Sequence, residues 1–445
     1  MTPETPVAAL FREAVSHHYN GRLAEAERLY LEVAARGHRK AEAERLLAAL
    51  ANEDGRLDIA LSRWQAVARS HPDDVLALST VGSLLLRLGR AEEAVEAFSA
   101  AAARAPDDAD VAANLGVALT DAGRPDEALN VLLRAVDRWP DVPLLRHRMR
   151  VAATAVVPAW HVPMMNDAPR NEAFERAIRR AVAARGPECR VLDIGTGSGL
   201  LSMMAARAGA ASVVTCELVA PIAAIARRIV EANGFAGRIR VVTKKSTDLA
   251  VGADLEQPAD VLVSEILSNS VLTEGVLTTF EDALARLVKP GAAVIPRAVT
   301  AVGCLAGGAA LEEMAFAGTV SGFDLSAFTA VSAPRLPIVG FSPAWTRLSA
   351  DHDLVAFDLT ATLHPPVLER RPLRASADGV AVGIVQWMRV ELDSETTFAN
   401  PPETTIAGGW QQVLHTFPRP IRVAAGQSLD ILAGHDRAGL VLLPA

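Results

Sequence analysis

The sequence has little of what stabilises extracellular proteins or anchors membrane proteins. Its 445 residues include three cysteines and no CxxC pair, so neither a disulfide framework nor a thiolate metal site is expected. The longest apolar stretch, residues 291–311, is interrupted by Pro296 and Arg297, whereas a membrane helix needs about 20 apolar residues. The first residues lack a basic segment ahead of an apolar core, which argues against a secretory signal. We therefore expect a cytoplasmic protein without a membrane partner or a bound metal.

Basic charge is also scarce. Lys and Arg number 44 against 52 Asp and Glu, and the net charge of −8 divides evenly between residues 1–150 and the remainder. Proteins that bind nucleic acids concentrate basic residues on one surface, so no nucleic-acid partner is expected. Half of the residues are hydrophobic, and a chain of this length has room for about three domains with cores of their own.

A 34-residue repeat organises the first third of the chain. A Gly-Arg pair recurs at this spacing, with its glycines at Gly21, Gly55, Gly89 and Gly123. The same frame carries four small residues, Ala14, Ala48, Gly82 and Gly116, and four large apolar residues, Tyr30, Trp64, Phe98 and Leu132. The pattern resembles the tetratricopeptide repeat, in which small residues let two antiparallel helices approach and a large residue fills the groove between them.

This resemblance predicts an all-α repeat array over residues 1–157 that ends in a capping helix near residues 141–157. Trp64 and Phe98 are expected to be buried between helices. Because stacked repeats present a concave face to an extended peptide or to another domain, we expect protein–protein contacts through the repeats. The alternative is that the array is a rigid extension that packs on the rest of the chain.

From about Arg190 the pattern changes to strands alternating with helices, which predicts a parallel sheet. The first strand is followed by Gly195 and Gly197, but Leu200 stands where a dinucleotide-binding loop needs its last glycine. Asp193 lies on that strand, and the next strand ends at Glu217. An acidic residue at the end of the second strand is placed to accept the ribose hydroxyls of a nucleoside. The pattern therefore favours S-adenosylmethionine, a nucleoside without phosphate.

Two further strands place polar residues at the same edge of the predicted sheet. Ser246 and Thr247 follow the third strand, within reach of an adenine ring. The fourth strand leads to Glu265, and Glu274 follows nine residues later with no other charged residue between them. Two carboxylates at a ligand-binding edge need a cation, and a planar guanidinium can be bound by both through paired hydrogen bonds.

The middle and last thirds of the chain, from near Trp160 onward, resemble the protein arginine N-methyltransferases. The motifs that carry the resemblance are WHVPMMNDAPRNEAF before the sheet, VLDIGTGSGLLSMMAARAGA at the cofactor loop and SEILSNSVLTEG at the two-glutamate hairpin. Two weaker matches are KPGAAVIPRAVT, which leads into the C-terminal domain, and VSGFDLSAF, part of the family's dimerisation arm. The first motifs are most similar to the branch that includes monomethylating enzymes and a relative with tetratricopeptide repeats.

The resemblance implies a Rossmann-like methyltransferase domain over residues 158–297 and a β-barrel domain over residues 298–445. It implies S-adenosylmethionine as the cofactor and a protein or peptide arginine as the substrate. The arm makes a homodimer one expected assembly, while the sequence leaves the oligomeric state open.

The family's site residues can be transferred to matching positions. Glu265 and Glu274 are expected to be catalytic, by binding the substrate guanidinium and localising its charge. The residues expected to bind the cofactor are Arg170, Asp193, Gly195, Gly197, Glu217, Ser246 and Thr247. Trp410 and Met164 are expected to contact the substrate.

This chain also departs from the family pattern. The family's Thr-His-Trp loop reads Gly408, Gly409 and Trp410, so the histidine that pairs with an aspartate, Asp167 here, is missing. The tyrosines that cover the cofactor in many members have no counterpart, because the two tyrosines of this chain lie in the repeats. Two alternatives therefore stay open: a repeat-based adaptor whose methyltransferase domain has lost activity, and a methyltransferase for another substrate.

Overall fold

The computed structural model describes residues 6–37, 39–338, 345–403 and 409–445. The chain divides into two compact units, Met1–Pro158 and Ala159–Ala445. No helix in the described ranges is both long enough and apolar enough to cross a membrane. The three cysteines are free and buried, as expected for small apolar side chains.

The first unit is built from antiparallel helix pairs that follow the 34-residue frame, which confirms the predicted helical array. Its described helices are α1 (Pro6–Tyr19), α2 (Leu23–Ala35), α3 (Lys40–Glu53), α4 (Leu57–Ser70), α5 (Val75–Arg87), α6 (Ala91–Arg104), α7 (Ala109–Asp121), α8 (Pro125–Arg138) and α9 (Pro143–Val156). The four frame glycines lie in the turns within pairs with φ between 71° and 74°, a conformation that glycine adopts without steric cost.

Small residues set the distance between the helices of a pair. A Cβ atom added to Gly82 would lie 2.6 Å from the Phe98 ring, and one added to Gly116 would lie 2.6 Å from Leu132. Phe98 is fully buried and Trp64 is 5% exposed, so both occupy the grooves expected for them. The helices therefore pack at a separation that only a glycine at these positions permits.

The capping helix covers the repeats with one face only. In α9, Leu145 and Ala152 are buried, whereas Leu144 and Val151 are 45% and 49% exposed. The helical spacing of apolar residues in this segment predicted a helix correctly, but it did not distinguish the covered face from the exposed one.

The second unit begins with helices α10 (His161–Met165) and α11 (Ala168–Arg185) and a sheet of five parallel strands. The strands are β1 (Arg190–Ile194), β2 (Ser212–Cys216), β3 (Ile239–Val242), β4 (Ala259–Ser264) and β5 (Val288–Ile295), in the order β3-β2-β1-β4-β5. The crossovers contain α12 (Leu200–Arg207), α13 (Ala220–Ala232) and α14 (Val276–Arg286). Buried Val, Leu and Ile side chains of β1 and β4 form the centre of the core. The order reverses beside β1, where ligands of such sheets bind at the carboxyl ends of the strands.

The remainder of this unit, the C-terminal sheet domain, is antiparallel. It contains helix α15 (Ala309–Ala315) and strands β6 (Ala298–Gly307), β7 (Thr319–Val320), β8 (Phe323–Asp324), β9 (Arg335–Ile338), β10 (Thr346–Arg347), β11 (His352–Asp358), β12 (Val367–Arg374), β13 (Gly379–Glu391), β14 (Thr397–Ala399), β15 (Gln412–Val423), β16 (Ser428–His435) and β17 (Leu440–Pro444). Strands β10-β6-β13-β15-β9 form the main sheet, β12-β16-β17 a second sheet, and β7-β8 a hairpin. The antiparallel domain is confirmed, while closure into a barrel stays a prediction.

The packing of the first unit leads to a stability prediction. Replacing Phe98 by alanine removes a fully buried ring from the groove beside Gly82, and such truncations cost about 3–5 kcal/mol. The matched control is Tyr19→Ala, because Tyr19 is 92% exposed. Denaturant unfolding followed by far-ultraviolet circular dichroism should show a weakened helical transition for Phe98→Ala alone. Equal stability of the two variants would mean that Phe98 does not have the structural role assigned to it.

Candidate active site

The glycine loop after β1 lets the backbone approach the carboxyl edge of the parallel sheet. Gly195 has φ of 86°, and a Cβ atom there would lie 2.7 Å from a methyl carbon of Ile266. Gly197 also has a positive φ, of 51°. Side chains are disfavoured at both positions. At Gly195 and Gly197 the loop therefore leaves backbone, and not side chains, beside the place where a nucleoside would bind.

Asp193 is a buried carboxyl group at the end of β1, with 1% of the residue exposed. Its Oδ2 accepts hydrogen bonds from the hydroxyl groups of Ser202, at 2.5 Å, and Thr215, at 3.2 Å. Its Oδ1 has no hydrogen-bond partner among the described residues. Burial raises the pKa of Asp193 to about 7, although the two hydroxyl groups act in the opposite direction. Such an unpaired buried acceptor is a common feature of ligand sites.

Glu217 lies just after β2 and is fixed by the backbone on both sides. Its Oε2 accepts the N–H of Gly197 at 3.1 Å, and its Oε1 accepts the N–H of Val219 at 3.0 Å. Each carboxylate oxygen can accept a second hydrogen bond, so Glu217 remains able to bind ribose hydroxyl groups. Glu217 follows the second strand as the sequence predicted, and its contact with a ribose stays a prediction.

Ser246 and Thr247 form a single helical turn after β3 at the same edge. Ser246 is 6% exposed. Arg286, at the end of α14, donates hydrogen bonds to the carbonyl oxygens of Thr247, at 3.1 Å, and Leu249, at 2.9 Å. This turn is therefore attached to α14, the helix that follows Glu274.

Glu265 follows β4, and its side chain is only 5% exposed. It forms an ion pair with Arg170 of α11, whose side chain is 3% exposed. Burial raises the pKa of Glu265 to about 7, while the Arg170 guanidinium lowers it. Arg170 is itself oriented by a 2.8 Å hydrogen bond from Nη1 to Asn171 Oδ1 and by the rings of Phe174 and Trp410, whose centroids lie 5.0 and 5.3 Å from its guanidinium carbon.

The sequence did not reveal this ion pair. We expected the two glutamates to be without a cation and Arg170 to contact the cofactor. The nearest basic residues along the chain are far from Glu265, and only the folding of α11 over the sheet brings Arg170 to it. The position of Arg170 in the motif before the sheet signalled a site residue but did not identify this partner.

Glu274 lies in the turn before α14, on a cavity of about 230 Å³. The cavity is lined by Trp160, Leu267, Ser268, Asn269, Ser270, Thr273, Glu274, Gly409 and Trp410. No described residue forms an ion pair with Glu274. Partial burial of its carboxyl group and the nearby Glu217 carboxylate raise its pKa. The cavity thus offers one free carboxyl group beside two aromatic walls.

Trp410 connects the wall of this cavity to the two-glutamate hairpin. Its Nε1 donates to the carbonyl oxygen of Leu267 at 2.8 Å, and the N–H of Gln411 donates to Asn269 Oδ1 at 2.8 Å. Trp410 is 7% exposed and also contacts the Arg170 guanidinium. The ring is therefore held in place by the hairpin that carries both glutamates.

Gly409, at the position of the family's histidine, lies against Met164. A Cβ atom added to Gly409 would lie 2.4 Å from the Cβ of Met164, so no side chain fits there unless Met164 moves. Gly408 lies outside the described residues. Asp167, the family's partner of that histidine, is 5% exposed and caps α11 by accepting the N–H of Arg170 at 3.2 Å. Met164 thus packs against the loop that contains Trp410.

The structure brings the predicted residues to one edge in two groups. Those expected to bind the cofactor surround the carboxyl ends of β1, β2 and β3, except that Arg170 is paired with Glu265. Glu274, Trp410 and Gly409 line the cavity, and Met164 packs against Gly409. Within the described ranges, no cluster of three His, Cys, Asp or Glu side chains is arranged to bind a metal.

Comparison with known proteins identifies the family. Residues 176–298 match the model of the ribosomal protein L11 methyltransferases, and residues 47–109 and 80–143 match a tetratricopeptide repeat model. An arginine N(omega)-methyltransferase of Streptomyces achromogenes subsp. streptozoticus is 36% identical over 279 residues, which cover 62% of this chain and 76% of that protein. The chain belongs to the arginine N-methyltransferase family. Membership implies S-adenosylmethionine as the methyl donor.

Other members of this methyltransferase family match a smaller part of their own length. The protein arginine N-methyltransferase 7 of Aedes aegypti is 35% identical over 268 residues, which cover 53% of this chain but only 37% of that protein. Among solved structures, the Trypanosoma brucei PRMT1 enzyme-prozyme heterotetrameric complex with AdoHcy aligns with a TM-score of 0.56 at 23% identity. That alignment covers 63% of this chain and 89% of the trypanosome chain, and it supports the fold of the second unit.

The position of Glu217 leads to a prediction about the cofactor. Glu217→Ala removes a carboxylate that is placed to accept ribose hydroxyl groups, and the loss of a hydrogen bond to a charged group costs about 1.5–3 kcal/mol. Calorimetric titration with S-adenosylhomocysteine should show that loss of affinity. Glu231→Gln, an exposed change on α13, is the control and should bind like the parent. Unchanged affinity of Glu217→Ala would remove Glu217 from the cofactor site.

Proposed function

We propose that this methyltransferase transfers a methyl group from S-adenosylmethionine to a guanidino nitrogen of arginine in proteins. The observation that carries the proposal is that Glu274 lines the cavity at the carboxyl edge of the parallel sheet, while Glu265 begins the same hairpin. Glu265 is not among the lining residues, but its partner Arg170 contacts the ring of Trp410, which lines the cavity. A planar cation that enters this cavity would meet the Glu274 carboxylate, with which no described residue forms an ion pair.

The residues at the cofactor end fit the donor that the family uses. Asp193 has an unpaired buried acceptor, Glu217 has free acceptor capacity at the end of β2, and Gly195 and Gly197 have no side chains to block a ligand. When bound, S-adenosylmethionine supplies an activated methyl group and a neutral thioether leaving group. The protein must therefore mainly orient the nucleophile and exclude water.

The ion pair of Arg170 with Glu265 supports the assignment of the glutamates. It demonstrates that a guanidinium is accommodated by Glu265 in this buried setting. A carboxylate has two oxygens with about four acceptor positions, so Glu265 can bind Arg170 through one oxygen and a substrate through the other. We propose that Glu265 and Glu274 hold the substrate guanidinium, so that its charge is drawn away from the attacking nitrogen.

Methyl transfer replaces one N–H proton of the guanidinium, and that proton must leave. Arginine is not deprotonated in proteins beforehand, so the proton departs with or after the methyl group. Glu274 is the proposed acceptor, because no described residue forms an ion pair with it and its raised pKa increases its affinity for a proton. A water molecule at the cavity is the other route that the chemistry allows.

The lining of the cavity favours an arginine within a protein over the free amino acid. Free arginine carries an α-carboxylate, which binding sites usually neutralise with a cation. None of the described residues that line the cavity is Lys or Arg, and residues 404–408 contain neither in their sequence. An arginine in a peptide has no α-carboxylate and needs no such partner. We therefore propose protein arginine as the substrate, with the repeats as the surface that contacts the substrate protein or a partner.

The hairpin and turn that follow α15 support a homodimer as part of the proposal. Between Thr319 and Val331 the apolar side chains are 46–75% exposed, including Phe323 at 71% and Phe328 at 68%. Contiguous exposed apolar surface of this kind marks an interface.

A cytoplasmic location remains the expectation from the sequence.

An adaptor without catalytic activity is the second candidate function. The close contact of Gly409 with Met164 favours it, because a catalytic histidine of the family has been lost there. The retained pair of glutamates favours an enzyme. Incubation with labelled cofactor and arginine peptides, followed by hydrolysis to amino acids, distinguishes the two, because only an enzyme yields methylarginine.

The catalytic assignment predicts the effect of glutamine substitutions. Glu265→Gln and Glu274→Gln keep the side-chain shape but remove charge, and oriented electrostatic contacts of this type are worth about 10²–10³ in rate. We expect that loss of rate in each single variant and unchanged affinity for the cofactor in both. The double variant should lose less than the sum of the two single losses in activation free energy, because the two glutamates act on the same guanidinium. Glu313→Gln, an exposed change on α15, is the control. Parental rates of methylarginine formation in both variants would contradict the assignment.

The pKa of Glu265 predicts the pH dependence of the reaction. Burial raises this pKa to about 7, so the carboxyl group is neutral below that pH and becomes a carboxylate above it. Since the carboxylate binds the guanidinium, kcat at saturating cofactor should rise with pH through about pH 7. The residual activity of Glu265→Gln should lack this rise. A parent rate that falls over the same range would contradict the role of Glu265.

A further inference from the structure

A cluster of hydrogen-bonded charged residues outside the cavity attaches α14, the helix that follows Glu274, to the C-terminal sheet domain. Glu281, in the middle of α14, binds two residues of that domain. Its Oε1 accepts the backbone N–H of His364 at 2.7 Å, and Arg437 Nη2 donates to its Oε2 at 2.7 Å. Arg437 Nη1 also donates to Glu281 Oε1, at 3.1 Å, and to the carbonyl oxygen of His364, at 2.6 Å. We call Glu281, His364 and Arg437 the α14 anchor.

The His364 ring adds two close contacts to the α14 anchor. Nδ1 lies 2.9 Å from Glu281 Oε1, and Nε2 lies 2.8 Å from the carbonyl oxygen of Asp358. The Arg437 guanidinium, followed by the His364 hydrogen bonds, lowers the pKa of Glu281 to about 2, so that group is a carboxylate at neutral pH. Glu281 is therefore a charged group that is held by Arg437 and by His364, and His364 is only 8% exposed.

The α14 helix connects this anchor to both halves of the candidate active site. Glu274 precedes the helix by two residues, and Gly275 between them has φ of 71°. At the other end, Arg286 binds the carbonyl oxygens of Thr247 and Leu249 in the turn expected at the adenine. A shift of α14 would therefore move the free glutamate and the cofactor turn together.

We propose that Glu281 is a positioning residue for Glu274, because its bonds to Arg437 and His364 fix α14 on the C-terminal sheet domain. The effect on turnover rests on the proposed methyltransferase function. The anchor itself and its contribution to stability do not.

The first test concerns the anchor alone and uses the full-length protein. The parent should have a higher thermal midpoint than Glu281→Gln at pH 7. This difference should shrink as the pH falls from about 6 to 3, because the lowered pKa of the Glu281 carboxyl group contributes to stability only while that group is a carboxylate in the folded protein. Equal midpoints at pH 7, or a difference that does not shrink at low pH, would overturn the anchor whatever the protein catalyses.

The second test concerns positioning and uses a double-mutant cycle. Glu281→Gln should lower kcat about tenfold or more, since small displacements of catalytic groups are costly, and should leave the peptide KM nearly unchanged. In a Glu274→Gln background the same change should have little further effect, because the group that it positions is already disabled. Glu369→Gln, which breaks an exposed ion pair with Arg371, is the matched control. Equal losses from Glu281→Gln in both backgrounds would overturn the positioning role.

These outcomes separate the inference from the proposed function. A parent protein that forms no methylarginine contradicts the proposed function, while the thermal midpoints of the parent and Glu281→Gln still test the anchor. A parent that methylates arginine but is no more stable than Glu281→Gln contradicts only the anchor.

Discussion

The candidate active site depends on the buried ion pair of Arg170 with Glu265. A carboxylate that is 5% exposed is unstable without a cation, and removal of one partner from such a pair typically costs about 3–5 kcal/mol. Arg170 is in turn oriented by Asn171 and Trp410. Through Trp410 the pair connects α11, the end of β4 and the C-terminal sheet domain. The same pair leaves Glu274 as the carboxyl group for which no described cation is present, so the cavity beside it is suited to a cation from outside.

Helix α14 connects the candidate active site to the rest of the second unit. Glu274 precedes it, Glu281 binds the C-terminal sheet domain, and Arg286 holds the turn that contains Thr247. The methyltransferase sheet and the antiparallel sheets are thus joined by charged side chains on one helix. Among the described contacts, neither glutamate is held by Gly409, which stands at the position of the family's loop histidine.

Much of the fold could be predicted from the sequence because it rests on local patterns. The 34-residue frame determines where glycines turn the chain and where Phe98 is buried, and strands that alternate with helices bring Asp193 and Glu217 to one edge. Pairings between distant residues could not be predicted in this way. Arg170 meets Glu265 across 95 positions of sequence, and Glu281 meets Arg437 across 156. The sequence also did not show that one apolar face of α9 is exposed. The helical spacing of apolar residues does not specify which face packs against another helix.

The central claim is that the cavity selects a guanidinium through its charge. It is tested most directly by calorimetric binding of two peptides that differ in one residue, arginine or its neutral analogue citrulline, to the protein saturated with S-adenosylhomocysteine. Hydrogen bonds to charged groups contribute about 1.5–3 kcal/mol each, so the arginine peptide should bind about tenfold more tightly or better. That preference should disappear when Glu265 and Glu274 are both replaced by glutamine. Equal affinity of the parent protein for the two peptides would contradict the account.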